Sequence, residues 1–240
     1  MPLVVCIALL AGCMNSLPPQ VLVVGDLTPL GQRAPVPAAG HPVYYFPLVV
    51  GHKELGATIA GEPPPPRKDE VSHMLAVALA KQHYLLMKPE HPPEQLLVFW
   101  WGSMNPDIND FGSSDPSEQV FFNEREMLAL VGAYKTAKMS PWMADEIRTA
   151  ARDDRYFVVV MAFDFAAARQ HQKKLLWMAK MSTPSLGTNL TMVMPALVAS
   201  GASAFGRDTV PAMLDSSLVL KEGTVRIAPL EIKGTVPEKK

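Results

Sequence analysis

The chain has 240 residues, of which 48% are hydrophobic and 19% are charged, and its net charge is -1. This apolar fraction is ample for a sizeable core, which excludes a disordered chain. Lys and Arg number 22 against 23 Asp and Glu, so no basic excess predicts a nucleic-acid partner.

The two cysteines, Cys6 and Cys13, both lie at the start of the chain. The rest of the chain therefore has no disulfide framework, no cysteine nucleophile and no cysteine metal site. The apolar segment from Pro2 to Gly12 is too short to span a hydrocarbon core, which takes ~20 residues. It has the length of a signal-peptide core, and we predict that residues 1–12 are a signal peptide.

The apolar segment ends in Leu10-Ala11-Gly12-Cys13, which resembles a bacterial lipobox. The resemblance implies cleavage before Cys13 and attachment of a diacylglyceryl group to its thiol. Acyl chains such as palmitate would then anchor the protein by burying methylenes at ~0.8 kcal/mol each. We expect a lipid-anchored protein of the bacterial cell envelope, on the outer membrane and facing the periplasm. The alternative is that Cys6 and Cys13 are small hydrophobic residues on a buried N-terminal strand.

Residues 13–42 are predicted to be a tether and an irregular segment, because they are rich in Pro, Gly and Ala. Within them, residues 21–27 (VLVVGDL) could form a strand. Residues 43–51 (VYYFPLVVG) predict a strand, since β-branched and aromatic residues dominate them. Pro47 cannot donate to a ladder, which predicts an edge position or a bulge there.

The middle of the chain predicts helices around one buried strand. Residues 68–87 have apolar residues at helical spacing, with Asp69 as the cap. Residues 96–101 (LLVFWW) are apolar on both faces and predict a strand inside a sheet. A polar loop follows. Residues 123–137 and 140–152 then predict two helices, the first with Asn123 as cap and the second with Ser140 as cap.

The second half predicts a strand pair, a helix and a closing hairpin. Residues 155–165 and 173–182 read as the paired strands, residues 189–206 as the last helix, and residues 216–234 as the hairpin. The order of elements predicts an α+β or mixed α/β fold, with one sheet and helices packed on it. Residues 43–240 are predicted to form this single domain.

Two stretches carry a resemblance to known envelope proteins. One is FWWGSMNP, and the other is a strand that ends in Asp164, followed by a short link and Leu176-Trp177. Together they resemble uncharacterised bacterial envelope lipoproteins whose domain is similar to the N-terminal domain of TolB and to the curli secretion channel lipoprotein. The resemblance covers residues 44–205. It implies a small α+β domain and transfers no catalytic residues.

The sequence offers little catalytic chemistry. No histidine pair has the spacing of a helical metal site, so we predict no metal and no cofactor. Ser203 lies in an approximate Gly-x-Ser-x-Gly setting, but inside a predicted helix rather than at a strand-to-helix elbow. Asp164 could be a half-buried acid, although we expect it to hydrogen-bond a neighbouring turn. No catalytic residue is predicted.

Aromatic residues at one strand end suggest a ligand surface. Trp100 and Trp101 precede the polar loop that carries Asp107 and Asp110. Such an arrangement can form a platform for a carbohydrate or a peptide. The alternative is that the aromatic side chains fill the core and cap the sheet.

We expect a non-catalytic binding or assembly module of the envelope, which acts through a protein partner or by self-assembly. The alternatives are an envelope hydrolase, and a small-ligand or glycan binder that uses the strand end near Trp100. An enzyme should show a concave pocket with converging polar groups, and a glycan binder should expose Trp100 or Trp101. A partner-binding module should show an apolar patch or a bare sheet edge.

Overall fold

The computed structural model of the protein describes residues 20–56, 63–105 and 124–215. They form an α+β fold in which a seven-stranded mixed sheet is flanked by helices. The strands are β1 (Gln20–Leu27), β2 (Val43–Leu55), β3 (Tyr84–Leu86), β4 (Gln95–Met104), β5 (Arg155–Asp164), β6 (Leu175–Pro184) and β7 (Ala212–Asp215). The α-helices are α1 (Lys68–Lys81), α2 (Glu124–Val131), α3 (Pro141–Ala150), α4 (Phe165–Arg169) and α5 (Leu190–Gly201).

The strand order across the sheet is β3-β2-β4-β5-β6-β1-β7. β2 runs parallel to both β3 and β4, and the other neighbouring pairs are antiparallel. The predicted α+β fold, one sheet with helices on it, is confirmed. No helix among the described residues is long and apolar enough to cross a bilayer.

β1 changes the predicted domain boundary. It lies inside the sheet between β6 and β7, and its residues from Val21 to Gly25 are all buried. The prediction that residues 13–42 form a tether is therefore wrong for residues 20–27, and the domain includes Gln20 as well as Val43. The consecutive valines are apolar on both faces of the strand, which is typical of an interior position.

β2 shows why a proline is tolerated inside a strand. β3 pairs with Val43, Tyr44 and Tyr45, so beyond that point β4 is the only described strand beside β2. Pro47 lies in this stretch, where its missing N–H removes no ladder bond on the open side. The register with β4 shifts between Val49 and Gly51. Both features that Pro47 predicted, a local edge and an irregularity, occur close to it.

The first helix is shorter than the sequence predicted. α1 ends at Lys81, and His83 then takes a left-handed conformation with φ of 63°. The residues predicted to extend the helix instead form β3, because burial of Tyr84 against Trp177, with ring centroids 5.4 Å apart, overrides helical propensity. Asp69 lies in the first turn, and Arg67 occupies the N-cap position.

Helices pack on both faces of the sheet. Residues of α1 and α5, such as Leu75 and Val193, contribute to one hydrophobic core. Residues of α2 and α3, such as Leu130 and Ile147, contribute to a second core on the opposite face, where they meet Phe157. Successive residues of a strand point to opposite faces, so each central strand contributes to both cores.

Several predicted element boundaries agree with the structure. Ser140 accepts a hydrogen bond from the Met143 N–H at 3.4 Å and caps α3, with Pro141 at the first helical position. β5 and β6 pair, as predicted, and they run antiparallel. α2 ends before Gly132, whose φ is 75°, and a 3₁₀ helix, Ala133–Lys138, follows. The predicted cap Asn123, the polar loop after Asn105 and the closing hairpin lie outside the described residues.

Candidate functional site

Part of the sheet face that carries α2 and α3 lies uncovered over β2, β4 and β5 in the described part of the protein. Register places Phe46, Leu96 and Phe163 side by side, and Leu48, Val98 and Met161 in the next row. Met161 also contacts the second core, so the uncovered patch continues from it. We call this patch the open face. Its residues are Phe46, Leu48, Val50, Leu96, Val98, Trp100, Met161 and Phe163.

The open face is apolar and accessible. Phe46, Leu48 and Val50 are 41%, 47% and 41% exposed, and the other members are half-buried. The Phe46 ring also lies 6.0 Å from that of Phe165, at the start of α4. A contiguous apolar patch on a sheet is costly to leave in water, and such patches mark binding surfaces. The geometry therefore suits contact with another apolar surface.

The two tryptophans predicted as a ligand surface occupy different environments. Trp101 is fully buried in the core beneath α1 and α5, so it presents no surface to a ligand, and the expectation is corrected for this residue. Trp100 is half-buried at the margin of the open face, where it contacts the second core. Alternation along β4 separates the two rings. Asp107, Asp110 and the lipidation candidate Cys13 lie outside the described residues.

The exposed members of β2 were not predicted as site residues. Every position from Val43 to Val50 is apolar, which is the pattern of a strand buried on both faces. One face of β2 does pack on the core, through Val43 and Tyr45. The pattern identified an apolar second face but could not indicate that the described helices leave it open.

A partly buried ionic cluster joins β1, β6 and the 3₁₀ helix next to α2. The carboxylate of Asp26 lies 2.9 Å from Lys135 Nζ and 3.1 Å from Lys180 Nζ. The Tyr134 hydroxyl donates to Asp26 at 2.5 Å, and Lys180 donates to the Ala129 carbonyl at 2.7 Å. Lys135 also pairs with Asp208 at 2.7 Å. The sequence offered no indication of this cluster, because its members come from distant segments.

The cluster alters the pKa values of its members in opposite ways. Burial alone would raise the pKa of Asp26, but the Tyr134 hydroxyl and the two lysines outweigh it and hold the pKa below its usual value. Burial lowers the pKa of Lys180, and Asp26 offsets this only in part. Burial and the hydrogen bond to Asp26 raise the pKa of Tyr134. Each charge has a partner, so the cluster holds these segments together. None of its charged groups is available as a general base.

The remaining chemical candidates have structural roles in this fold. Asp164 accepts a hydrogen bond from the Ala167 N–H at 2.7 Å and caps α4, which confirms the expected bond to a neighbouring turn. Ser203 donates to the Ser200 carbonyl at 3.2 Å within the 3₁₀ helix Ala202–Ala204, and no strand-to-helix elbow surrounds it. Within the described ranges, no three His, Cys, Asp or Glu side chains are grouped to hold a metal ion.

Comparison with known proteins gave distant structural likenesses. No family model and no curated protein matches the chain. The PelC dodecamer from Paraburkholderia phytofirmans is 10% identical over 79% of this chain and 99% of that chain, with a TM-score of 0.37. A variant of the same dodecamer is 12% identical over 77% and 98% of the two chains, with a TM-score of 0.35. A PDZ domain protein from Parabacteroides distasonis is 10% identical over 81% and 38% of the two chains, with a TM-score of 0.37. At these values the likeness carries no functional inference.

Proposed function

We propose that the protein is a lipid-anchored, non-catalytic module of the bacterial cell envelope that binds a protein partner through the open face. The observation that carries this proposal is the accessible apolar surface formed by Phe46, Leu48 and Val50 together with their neighbours on β4 and β5. Exposure of a continuous apolar patch to water costs free energy, and contact with another surface removes this cost by burying the patch.

The position of β1 supports the anchor. β1 begins at Gln20, so only residues 14–19 separate the sheet from Cys13. At ~3.4 Å per residue, this segment reaches about 20 Å when it is fully extended. A diacylglyceryl group on Cys13 would hold the domain close to the bilayer, on the outer membrane facing the periplasm. The domain would then meet partners that share this surface.

The anchor is tested by labelling. The full chain and its Cys13→Ser variant are expressed in a bacterium that is supplied with radiolabelled palmitate, and both are partitioned into detergent. We expect the label and detergent partitioning in the first protein alone, because the thiol of Cys13 is the acceptor. Equal labelling of both proteins, or labelling of neither, would contradict the anchor.

The partner surface is tested by site-directed crosslinking in intact envelopes. A Leu48→Cys substitution places the only thiol of the folded body on the open face, since the two natural cysteines precede Gln20. Val36→Cys is the matched control, because Val36 is also apolar and is 82% exposed in the segment between β1 and β2, outside the open face. A thiol-directed photo-crosslinker should give a discrete adduct from Leu48→Cys only. An adduct of twice the chain mass identifies a second copy as the partner, and equal adducts from both positions would overturn the assignment.

A further inference from the structure

A groove of about 360 Å³ lies between α1 and α5, on the solvent side of these two helices. Its volume falls in the range of about 300–1,000 Å³ that is typical of small-molecule sites. One wall carries Met74, Val77 and Ala78 of α1, and the other carries Pro195, Val198 and Ala199 of α5. The polar lining residues are His73 and Lys81, both from α1. The groove is therefore mostly apolar, with basic residues in one wall.

The α5 wall has an unusual composition for a helix at the surface. No charged residue occurs from Thr188 to Gly206. Met192, Pro195 and Ala199 are nevertheless exposed, Met192 by 49%. The side of a surface helix that faces away from the core usually carries charged and polar residues. An apolar ligand in the groove would cover part of this uncharged surface.

The α1 wall places its basic residues at the two ends of an apolar stripe. His73, Val77 and Lys81 follow one another at intervals of four residues, so they share one side of the helix. At ~1.5 Å per residue, His73 and Lys81 are ~12 Å apart along the helix axis. One acyl chain is about 15 Å long, which is half of the ~30 Å hydrocarbon core of a bilayer. The groove thus matches most of the length of one chain.

Lys81 supplies a positive charge that no described carboxylate neutralises. It lies in the last turn of α1, where the helix dipole favours a cation, and its side chain is exposed. Within the described ranges, neither Lys81 nor His73 forms an ion pair, and no Asp or Glu lines the groove. The acidic residues of α1, Asp69 and Glu70, lie in its first turn beside Arg67. The complementary ligand therefore carries a negative charge next to an apolar body.

We propose that the groove between α1 and α5 binds a fatty acid, with its chain against Val77 and Ala199 and its carboxylate at the Lys81 end. Burial of methylenes would supply most of the affinity, and the ion pair would select an anionic head group. α1 and α5 pack on one face of the sheet, whereas the open face belongs to the other. The proposal is therefore independent of the partner surface and of the anchor at Cys13.

The test measures the binding of single-chain amphiphiles by calorimetry, below the concentrations at which they form micelles. The protein is the full chain with Cys13→Ser, so that no sample carries acyl chains of its own. We expect decanoate to bind more tightly than octanoate, by up to about fourfold for each added methylene. Decyltrimethylammonium, which has the same chain and the opposite charge, should bind more weakly than decanoate. Absence of decanoate binding, or equal affinity for the two ten-carbon ligands, would overturn the proposal.

Lys81→Glu tests the position of the carboxylate. This variant should bind decyltrimethylammonium more tightly than decanoate, because the charge at the end of the groove is reversed. Lys173→Glu is the matched control, since it makes the same change at an exposed lysine outside the groove wall. The control should keep the preference for decanoate. The same reversal in both variants would show that only net charge matters and would overturn the role of Lys81.

Ala199→Trp tests the groove itself, because Ala199 is an exposed residue of its wall. The larger side chain should fill the groove and abolish decanoate binding. Ala80→Trp adds the same side chain at an exposed position of α1 outside the wall and should bind decanoate normally. Thermal unfolding verifies that each variant is folded, and Lys81→Glu serves as the second variant if Ala199→Trp is not.

Two results would assign the groove differently. Loss of decanoate binding in both tryptophan variants, or in neither, would place the ligand elsewhere and overturn the site. A dimer in analytical ultracentrifugation that Ala199→Trp dissociates, in a protein that does not bind decanoate, would identify a second copy as the occupant. Because all samples lack the thiol of Cys13, failure here is distinct from failure of the anchor.

Discussion

The ammonium group of Lys180 on β6 lies 3.1 Å from the carboxylate of Asp26 on β1, beneath the ring of Tyr134. Lys180 is paired in register with Val24, so the two charged residues are diagonal neighbours on one sheet face. The Lys180 side chain is 7% exposed and that of Asp26 is 21% exposed. Removal of either charge would leave the other buried without its partner, which is costly.

Asp26→Asn is expected to destabilise the protein by about 2 kcal/mol at neutral pH, less than for a fully buried pair because Asp26 keeps some exposure. The pKa of Asp26 is lower in the folded than in the unfolded chain. Its contribution to stability is therefore complete above the unfolded value of ~3.9 and is lost as pH falls through the folded pKa. Urea unfolding as a function of pH measures both effects.

The control for Asp26 is Asp145→Asn, which alters an exposed carboxylate on α3. This variant should unfold like the unaltered protein at neutral pH and should keep its acid-range dependence. Asp26→Asn should show a shallower fall in the free energy of unfolding below about pH 4. Identical acid profiles for Asp26→Asn and the unaltered protein would contradict the role assigned to the ion pair.

A comparison of Leu48→Ala with Leu97→Ala should distinguish an effect on partner binding from an effect on the stability of the fold. Leu48 is 47% exposed on the open face, whereas Leu97, on the opposite face of the neighbouring strand, is fully buried. We expect Leu97→Ala to cost about 2–5 kcal/mol, because it leaves a cavity in the core. Leu48→Ala should change the free energy of unfolding by less than about 1 kcal/mol, while it weakens crosslinking to the partner from a thiol placed at Val50→Cys on the same face. A large loss of stability in Leu48→Ala would show that this side chain is part of the core.

The losses in free energy of unfolding caused by Trp101→Phe and Trp177→Phe should differ by the contribution of one hydrogen bond. The Trp177 Nε1–H donates to Gln95 Oε1 at 3.1 Å, and both residues are buried. Trp101 Nε1 is buried and has no hydrogen-bond partner in the described part of the structure. The two substitutions remove the same volume, so Trp177→Phe should cost about 1–3 kcal/mol more, since it leaves the Gln95 oxygen unpaired. Equal costs in urea unfolding would show that this hydrogen bond adds nothing.

Gly102→Ala should be strongly destabilising for a steric reason. A Cβ at Gly102 would overlap the backbone carbonyl of Lys53 on the adjacent strand β2. Backbone atoms of two paired strands cannot move apart without loss of ladder hydrogen bonds, so we expect a cost of at least about 2 kcal/mol. Gly40→Ala is the matched control, because among the described residues no atom beyond its own chain neighbours lies within 4 Å of its added methyl. The control should leave the thermal midpoint within a few degrees, and a similar drop in both variants would contradict the steric cause.

Local patterns were sufficient for much of the fold. The Ser140-Pro141 pair predicted the start of α3, and the apolar runs predicted β4, β5 and β6. These signals succeed because a cap, a missing N–H and a continuous apolar run act within a few residues of the chain. The same local rules failed at Tyr84, where a helical pattern continues but the side chain is buried against Trp177 in the tertiary structure.

By itself, the sequence determined the α+β class, most of the element positions and the prediction of an anchored Cys13, because each depends on short-range patterns. Only the tertiary structure decided that Leu48 stays exposed while Leu97 is buried, and that Asp26 meets Lys180. It also placed Arg125 of α2 and Arg148 of α3 in the wall of one cavity between the two helices. The physical reason is that strand order and helix placement determine which distant side chains meet and which face remains in water, and neither is encoded in the spacing of neighbouring residues.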